Sequence, residues 1–449
     1  MGTRSLLILS ISLLLSAQQL DMKLLSQSNY LDVVTLKEGT GYISYLKELP
    51  RHEHYVATPL DKAVFTPHWN FYPHQASGQV IAVTELAPSQ EWFNASLYNT
   101  LSLQGSCKGC KVALADKILF SKEDNYIIGD FQQTIDLDPL RKRIDLRHLK
   151  YLVLITKERD ALDLSSVTFE NRFAQTAEHK EKQSVWIWKS QDIDHALLHK
   201  NKIGRVYLQI DDGFEQQAKR LFDEGFEVYG LDGDPHDTLD PKRLRKDLGR
   251  IARLNAAKRV ISGFQIDVEP HVLKDFNIRQ ERYLHAFVTM VTELTALAHR
   301  HTLAFSVVTP FWYDTLYYKG RPLVYHVIDT ADETVLMSYR SDPNSVLRIS
   351  ADELAYASAQ GKKVQIGVEL MPIADERHTL YAIETSRPCI AQKHLQQECH
   401  MLKEQEHYIV KGRTLSLYGQ PASLETLLAT PIEYPAFEGF VLHHAKGLQ

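Results

Sequence analysis

Short apolar runs alternate with helix-like segments over the second half of the chain. Between the runs lie segments such as FEQQAKRLFDEG and PKRLRKDLGRIARLNA, whose apolar residues recur at helical spacing. Strand and helix alternating eight times over about 250 residues is typical of a (β/α)8 barrel. We therefore predict an α/β fold with a barrel over residues 181–449. The eight runs are VWIWKS, RVYLQID, EVYGLDG, GFQIDVEP, LAFSVVTPF, TVLMSYR, VQIGVEL and GFVLHHA.

One structural alternative to the barrel is a doubly wound open sheet. It fits the pattern less well, because no glycine-rich phosphate loop follows the first run. The longest stretch between two runs, at about 372–420, follows the seventh run, and we predict it to be an insertion into the barrel.

The preceding residues show a different pattern. From about residue 78 to 173, short β-type runs are separated by turn signals, with few helical periods between them. Such spacing predicts an antiparallel sandwich. We assign residues 20–180 to this β-rich domain, with a charged linker over 177–183, and favour a structural role for it over sugar binding.

The first residues have the pattern of a secretory signal peptide. Arg4 precedes an apolar run over residues 6–15, and the small residues Ser16 and Ala17 follow. The run is shorter than the about 20 apolar residues that span a bilayer. We predict a signal peptide over residues 1–19 and an exported protein, periplasmic or secreted, with no stable membrane insertion after cleavage.

The four cysteines agree with export to an oxidising compartment, where close pairs form disulfides. Cys107 and Cys110 lie in CKGC, and Cys389 and Cys399 bracket a polar stretch. Two local disulfides are the simplest of the three possible pairings.

Composition excludes two classes of protein. The 449 residues include 51 Lys and Arg against 56 Asp and Glu, a net charge of −5, which lacks the basic excess of nucleic-acid-binding proteins. Hydrophobic residues make up 44% and charged residues 24%, as in folded globular chains rather than disordered ones.

The ends of the predicted strands carry the candidate chemistry. In a (β/α)8 barrel the active site lies at the carboxyl ends of the strands, and side chains alternate along each strand. In GFQIDVEP the apolar alternate residues must face the helices, so Gln265, Asp267 and Glu269 point inward. Inward carboxylates are costly unless they are solvated, paired or used, and we find only Arg340 and Lys189 as inward cations.

The same alternation turns Glu369 inward at the end of the seventh run. It also places polar and aromatic side chains at the other strand ends, where flat rings suit sugar binding. The predicted substrate-binding residues are Trp188, Gln209, Asp211, Asp232, Gln265, Trp312, Met337, Arg340 and His443.

A carboxylate-lined, aromatic-rimmed barrel mouth favours glycoside hydrolysis. The reaction needs one protonated carboxyl for the leaving oxygen and a second group that stabilises or attacks the sugar centre. Asp267 lies two residues before Glu269 on the same face, so its charge should raise one pKa of the pair.

The fourth run resembles a known family. SGFQIDVEP is similar to the D-G-x-D-x-D-x-E motif of the chitinase-like glycoside hydrolases of family eighteen, and ADETVLMSYR resembles their sixth-strand M-x-Y motif. The resemblance covers the barrel from about residue 185 onward. Gly263, Asp267, Glu269, Met337 and Tyr339 match, whereas Ser262 and Gln265 replace two aspartates and His443 stands where a tryptophan is usual.

This resemblance implies a retaining mechanism in which Glu269 is the general acid/base. Asp267 would orient a substrate N-acetyl group that acts as the nucleophile, and Tyr339 would donate a hydrogen bond to it. The family's second-strand glycine motif is missing from this chain.

Three alternatives stay open. Glu269 and Glu369 resemble the pair of retaining glycosidases that take the nucleophile from strand seven. A barrel that has lost activity and only binds glycans is the non-enzyme alternative. Asp232, Asp234 and His236 offer metal ligands, but Asp, Gly and Pro at a strand end are ordinary turn chemistry. We predict no metal or other cofactor, and a carbohydrate substrate as the partner, with no nucleic acid.

Overall fold

The computed structural model describes residues 31–35, 41–44, 62–74, 78–86, 88, 92–116, 127–157, 159–173, 183–273, 276, 279–388, 398–444 and 447. The predicted signal peptide lies outside these residues. The strands before the barrel are β1 Leu31–Thr35, β2 Gly41–Ser44, β3 Lys62–Phe65, β4 Asn70–His74, β5 Gln79–Glu85, β6 Thr100–Cys107, β7 Lys111–Ala115, β8 Ile127–Asp130, β9 Thr134–Asp136, β10 Tyr151–Thr156 and β11 Leu162–Glu170.

Two antiparallel sheets form the β-rich region, in the orders β4-β5-β10-β7-β8 and β3-β11-β6-β9. They share one apolar core that includes Leu101, Leu152 and Phe169, which confirms the predicted N-terminal sheet domain. The run ASLYNTLSL begins as a short 3-10 turn rather than a strand, because the Asn94 side chain accepts a hydrogen bond from the Ser96 N–H.

The Cα atoms of Cys107 and Cys110 lie 5.6 Å apart, a separation that a disulfide can span. Gly109, in the turn between them, has a φ of +67°, which glycine adopts without steric cost. Cys389 lies outside the described residues, so its pairing with Cys399 stays a prediction.

Eight parallel strands close into a barrel in the order β12-β13-β14-β15-β16-β19-β20-β23. Closure confirms the (β/α)8 prediction and excludes the open sheet. The strands are β12 Gln183–Ile187, β13 Ile203–Gln209, β14 Glu227–Asp232, β15 Gly263–Ile266, β16 Ala304–Pro310, β19 Glu333–Met337, β20 Lys363–Glu369 and β23 Phe437–His443, with a small hairpin of β17 Tyr317–Tyr318 and β18 Arg321–Pro322.

Helices surround the barrel and bury an apolar layer against the outer faces of the strands. Phe264, Ile266 and Val268 belong to this layer, which fixes the opposite face of β15 toward the interior. The helices are α1 His195–Lys200, α2 Phe214–Asp223, α3 Lys242–Asn255, α4 Gln280–Arg300, α5 Leu323–Thr330, α6 Pro343–Gln360 and α7 Pro421–Ala429. None of the helices in the described ranges has the length and apolar character to cross a membrane.

The insertion after β20 forms a hairpin of β21 Glu376–Pro388 and β22 Glu398–Val410. Its strand β21 also pairs with β1, so that β1 and β2 join the hairpin in one four-stranded sheet. Strands from the two ends of the sequence therefore share a sheet.

A buried arginine connects the β-rich region to the barrel. Arg147 donates to the backbone oxygen of Asp314 at 2.7 Å, forms an ion pair with its carboxylate at 3.1 Å, and donates to the Tyr317 hydroxyl at 2.6 Å. The contact lies beside the loop that follows β16 and so holds one wall of the barrel mouth.

Candidate active site

Asp267 and Glu269 follow β15 at the mouth of the barrel. The Asp267 N–H donates to the backbone oxygen of Asp232 at 3.0 Å, which continues the pairing of β15 with β14. Gly233 allows this close approach, since a Cβ at position 233 would lie 1.9 Å from the backbone oxygen of Asp267. Pro270 then begins a 3-10 turn immediately after Glu269. Both carboxyls thus lie in the short segment between β15 and this turn.

The pKa of each carboxyl is raised. One oxygen of Asp267 is buried without a hydrogen-bond partner among the described residues, and burial raises the pKa of Asp267 to about 6. Burial, and then the charge of Asp267, raises the pKa of Glu269 to about 8. The Glu269 side chain is nonetheless 30% exposed. A protonated carboxyl that solvent can reach is what a general acid requires.

Tyr339 lies among three carboxyls, which come from two strands. Burial and the charges of Glu369, Asp267 and Glu269 raise the pKa of Tyr339 well above its ordinary value, so the phenol stays protonated. Its hydroxyl lies 3.1 Å from Nδ1 of His443. The structure therefore brings together side chains from β15, β20 and β23 around this one hydroxyl.

His443 connects the mouth to Glu369. Its Nε2 accepts a hydrogen bond from the Trp188 indole at 2.8 Å, and an indole nitrogen can only donate. The proton of the neutral ring therefore lies on Nδ1, which is 2.5 Å from a Glu369 carboxylate oxygen. The other oxygen of Glu369 accepts the Met371 N–H at 2.7 Å. Both oxygens of Glu369 are thus engaged.

His271 lies beside Glu269, although the sequence did not single it out for catalysis. Its Nε2 is 3.8 Å from Glu269 Oε1, and its Nδ1 is 3.0 Å from the Tyr313 hydroxyl. Burial lowers the pKa of His271 to about 4, so the ring is neutral. Its place in a turn two residues after the acid was the available signal, but strand alternation does not extend to turns.

Aromatic side chains line part of the rim. Trp312 is partly exposed and packs edge to face against His271, with the ring centres 4.8 Å apart. Arg340 lies over the Phe311 ring at 4.7 Å and donates to the Tyr339 backbone oxygen at 2.7 Å. These surfaces, with Trp188, lie at the strand ends as the sequence predicts.

Several other predicted residues have partners within the protein. Asp211 accepts the N–H groups of Ser190 and Gly213 at 2.8 and 2.9 Å, which fixes two loops. Asp232 is paired with Arg243 and also accepts from the Gln209 amide at 3.0 Å. Met337 packs against the inner apolar cluster of the barrel.

Gln265 lies below the mouth and is fully buried. It accepts from the Trp186 indole at 2.6 Å and donates to Ser306 at 2.8 Å. Trp186 is also inside the barrel, packed over Gly367, where a Cβ would come within 2.7 Å of its ring. Trp186 therefore presents no ring surface at the mouth, because this residue lies one layer deeper than Trp188.

Arg205 is an inward cation that was not among those predicted from the sequence. Arg205 points into the barrel floor from β13 and is paired with Glu333 of β19 at 2.6 Å, while Lys189 is exposed at the surface. Arginine and glutamate at the amino ends of strands on opposite sides of the barrel can meet only after the sheet closes. The pattern of a single strand does not reveal such a pair.

The alternative metal site at Asp234 and His236 consists of exposed side chains that pair with each other at 2.8 Å. Over the part of the chain that the structure describes, no group of three or more His, Cys, Asp or Glu side chains is arranged to hold a metal ion.

No protein-family model and no curated protein matches this sequence. Among solved structures, a chitinase from Chromobacterium violaceum is 14% identical with a TM-score of 0.32, over 42% of this chain and 68% of that one. A class V chitinase from Pseudomonas fluorescens is 14% identical with a TM-score of 0.37, over 58% and 94% of the two chains.

The spore cortex-lytic enzyme of Bacillus megaterium is 10% identical with a TM-score of 0.32, over 63% of this chain and 74% of that one. The chain is thus similar, at a distance, to chitinases, the class of enzyme that its strand motifs resemble. Likeness at these TM-scores does not determine activity, which has to follow from the side chains at the barrel mouth.

Proposed function

We propose that the protein is a glycoside hydrolase that cleaves a polysaccharide or oligosaccharide with retention of configuration, with Glu269 as general acid/base. The supporting observation is the pair at the end of β15. Glu269 is partly exposed, its pKa is raised to about 8, and Asp267 lies on the same face of the strand. At neutral pH Glu269 therefore holds the proton that a leaving sugar oxygen needs.

The first step transfers the Glu269 proton to the glycosidic oxygen as the bond to the anomeric carbon breaks. Asp267, whose buried oxygen has no hydrogen-bond partner among the described residues, orients the N-acetyl group of the substrate. The carbonyl oxygen of that group attacks the anomeric carbon, and the neutral Tyr339 hydroxyl donates a hydrogen bond to the N-acetyl group. In the second step the Glu269 carboxylate takes a proton from a water molecule as the water oxygen attacks the same carbon. The bond between that carbon and the N-acetyl oxygen breaks, which frees the N-acetyl group and leaves Glu269 protonated again.

Glu369 is the less suitable nucleophile. A carboxylate that attacks a sugar needs a free oxygen, whereas His443 and the Met371 N–H occupy the two oxygens of Glu369. We assign Glu369 to holding His443, which in turn fixes Trp188 and lies next to Tyr339. In the substrate complex we place sugar rings against Trp188 and Trp312, with Arg340 donating to hydroxyl groups at the rim.

We also propose that the protein is exported, with residues 1–19 removed as a signal peptide, and that it acts in the periplasm or outside the cell. The pattern of Arg4, the apolar run and the small residues after it supports this proposal. A polymeric glycan is a substrate that such a location supplies.

The test is release of reducing ends by the protein lacking residues 1–19, from N-acetylated and non-acetylated polysaccharides. Release from N-acetylated glycans alone, lowered about 10²- to 10⁴-fold in Glu269→Gln, is the expected result. The matched control is Glu293→Gln, a change at an exposed glutamate on α4 that is 50% exposed. It should keep full activity.

Release from plain glycans would instead move the nucleophile to Glu369. Binding without release from any glycan would favour the recognition barrel, and full activity in Glu269→Gln would reject the assignment of the acid.

A further inference from the structure

Tyr313 and His271 form a connected pair behind Glu269. Tyr313 is fully buried in the loop after β16. Its hydroxyl lies 3.0 Å from Nδ1 of His271. The turn that starts at Pro270 holds the backbone of His271, so the imidazole is fixed at both its backbone and its ring.

These contacts determine which ring nitrogen carries the proton. Burial raises the pKa of Tyr313 well above its ordinary value, so the phenol keeps its proton, and in the described part of the chain Nδ1 of His271 is the acceptor within reach of that proton. Tyr313 therefore donates to Nδ1, and the proton of the neutral imidazole lies on Nε2. Nε2 is the nitrogen that faces Glu269 Oε1 at 3.8 Å.

We propose that His271 is a positioning residue for the acid/base, held by Tyr313 so that its Nε2–H donates to the Glu269 carboxylate whenever Glu269 has given up its proton. The proposal rests on the proposed role of Glu269. At 3.8 Å the two atoms are not hydrogen-bonded, and we expect the donor to close on the carboxylate once charge develops there. The imidazole stays neutral, so no proton is transferred between the two.

The other titratable groups around the acid do not supply this donor. Asp267, from the same strand, adds negative charge, and Tyr339 reaches the site from β19. The Tyr313 hydroxyl is hydrogen-bonded to His271. The His443 ring is hydrogen-bonded to Glu369. His271 is therefore the neutral donor that faces Glu269 Oε1 in the described structure.

The first measurement is the tautomer of His271, by ¹⁵N NMR of histidine-labelled protein near pH 7, with the signal assigned by its loss in His271→Gln. We expect the proton on Nε2 in the wild-type protein and a mixture of tautomers in Tyr313→Phe. A proton on Nδ1 in the wild-type protein would overturn the proposal, whatever the enzyme activity.

The second measurement compares two substitutions of His271. His271→Gln keeps an amide donor near the position of Nε2, whereas His271→Leu has none. We expect His271→Leu to lower kcat on the order of 10- to 100-fold and to move the alkaline limit of the pH profile upward by about one unit, because the Glu269 carboxylate loses a hydrogen bond. His271→Gln should recover most of both effects. Equal losses in the two variants with an unshifted pH profile would contradict the proposal.

The carboxyl titration of Glu269, followed by ¹³C NMR and assigned with Glu269→Gln, separates this proposal from the proposed function. An upward shift of the Glu269 pKa by about one unit in His271→Leu supports the positioning role even if no glycan is cleaved. An unchanged titration overturns it even if the wild-type protein is an active glycosidase.

Discussion

Buried carboxyls lie on the floor and at the mouth of the barrel: Glu333 on the floor is paired with Arg205, whereas Asp267 and Glu269 at the mouth have no arginine or lysine partner among the described residues. Glu333 on the floor is 4% exposed and receives hydrogen bonds from Arg205 at 2.6 Å, Tyr207 at 2.6 Å and Ser306 at 3.2 Å. At the mouth, burial raises the pKa of both Asp267 and Glu269, and in the described part of the chain no lysine or arginine is paired with either. A carboxyl is thus a structural ion-pair partner in one layer and, as we propose, a proton donor in the other.

The difference shows that burial alone does not decide what a carboxyl does. An ion pair with arginine offsets the free-energy cost of removing a carboxylate from water. Loss of one partner then destabilises the protein, because the remaining charge is buried alone. Without a cation, the carboxyl keeps its proton instead, and a nearby like charge strengthens that preference. At the mouth, this preference leaves Glu269 as a protonated and partly exposed carboxyl.

The largest effect on stability is expected from breaking the floor. Arg205→Met leaves Glu333 buried without its cation, and we expect the free energy of unfolding to fall by about 3–5 kcal/mol. Urea denaturation measures the change. Arg245→Met, which removes an exposed ion pair with Glu293, is the matched control and should cost less than about 1 kcal/mol. Similar losses in the two variants would mean that the floor pair contributes no more than a surface pair.

A second prediction concerns the pH dependence of stability at the mouth. The pKa of Glu269 is about 8 in the folded protein against 4.5 for a free glutamate, so the folded state binds this proton more tightly. Its contribution to stability is full below about pH 4.5 and is lost as the pH rises through 8.

Glu269→Gln should remove that dependence. At pH 8 the free energy of unfolding of the variant should exceed that of the wild-type protein by on the order of 2 kcal/mol, so the variant should unfold at a higher urea concentration. Denaturation curves at pH 5 and pH 8.5 make the comparison. Parallel losses of stability with pH in both proteins would show that Glu269 is not the group responsible.

The alternation of apolar and polar residues was sufficient to predict the fold and one face of the site. The alternation of side chains along β15 and the residues after it placed Asp267 and Glu269 inward, because the outer face had to be apolar to pack against the helices. The same rule placed Glu369 and Tyr339, and the eight runs correspond to the eight strands of the closed barrel.

Contacts made across the barrel or in turns were beyond that rule. Arg205 and Glu333 are 128 residues apart and meet only across the closed sheet. His271 lies in a turn, where no alternation indicates which way a side chain points. The sequence also showed Trp186 and Trp188 as equivalent, but depth in the barrel separates them. The sequence therefore predicts faces, and the closed fold determines partners and layers.

The smallest effect is expected at a third buried acid, which lies on α6 away from the mouth. Glu353 is 1% exposed, neither carboxyl oxygen has a hydrogen-bond partner among the described residues, and burial with Asp314 and Asp352 nearby raises its pKa well above the ordinary value. If the group is already neutral, Glu353→Gln should change the free energy of unfolding by less than about 1 kcal/mol and leave glycan cleavage unchanged. A loss of several kcal/mol would mean that Glu353 is ionised and paired with Arg147, so that burial without a hydrogen-bond partner does not keep a carboxyl neutral in this fold.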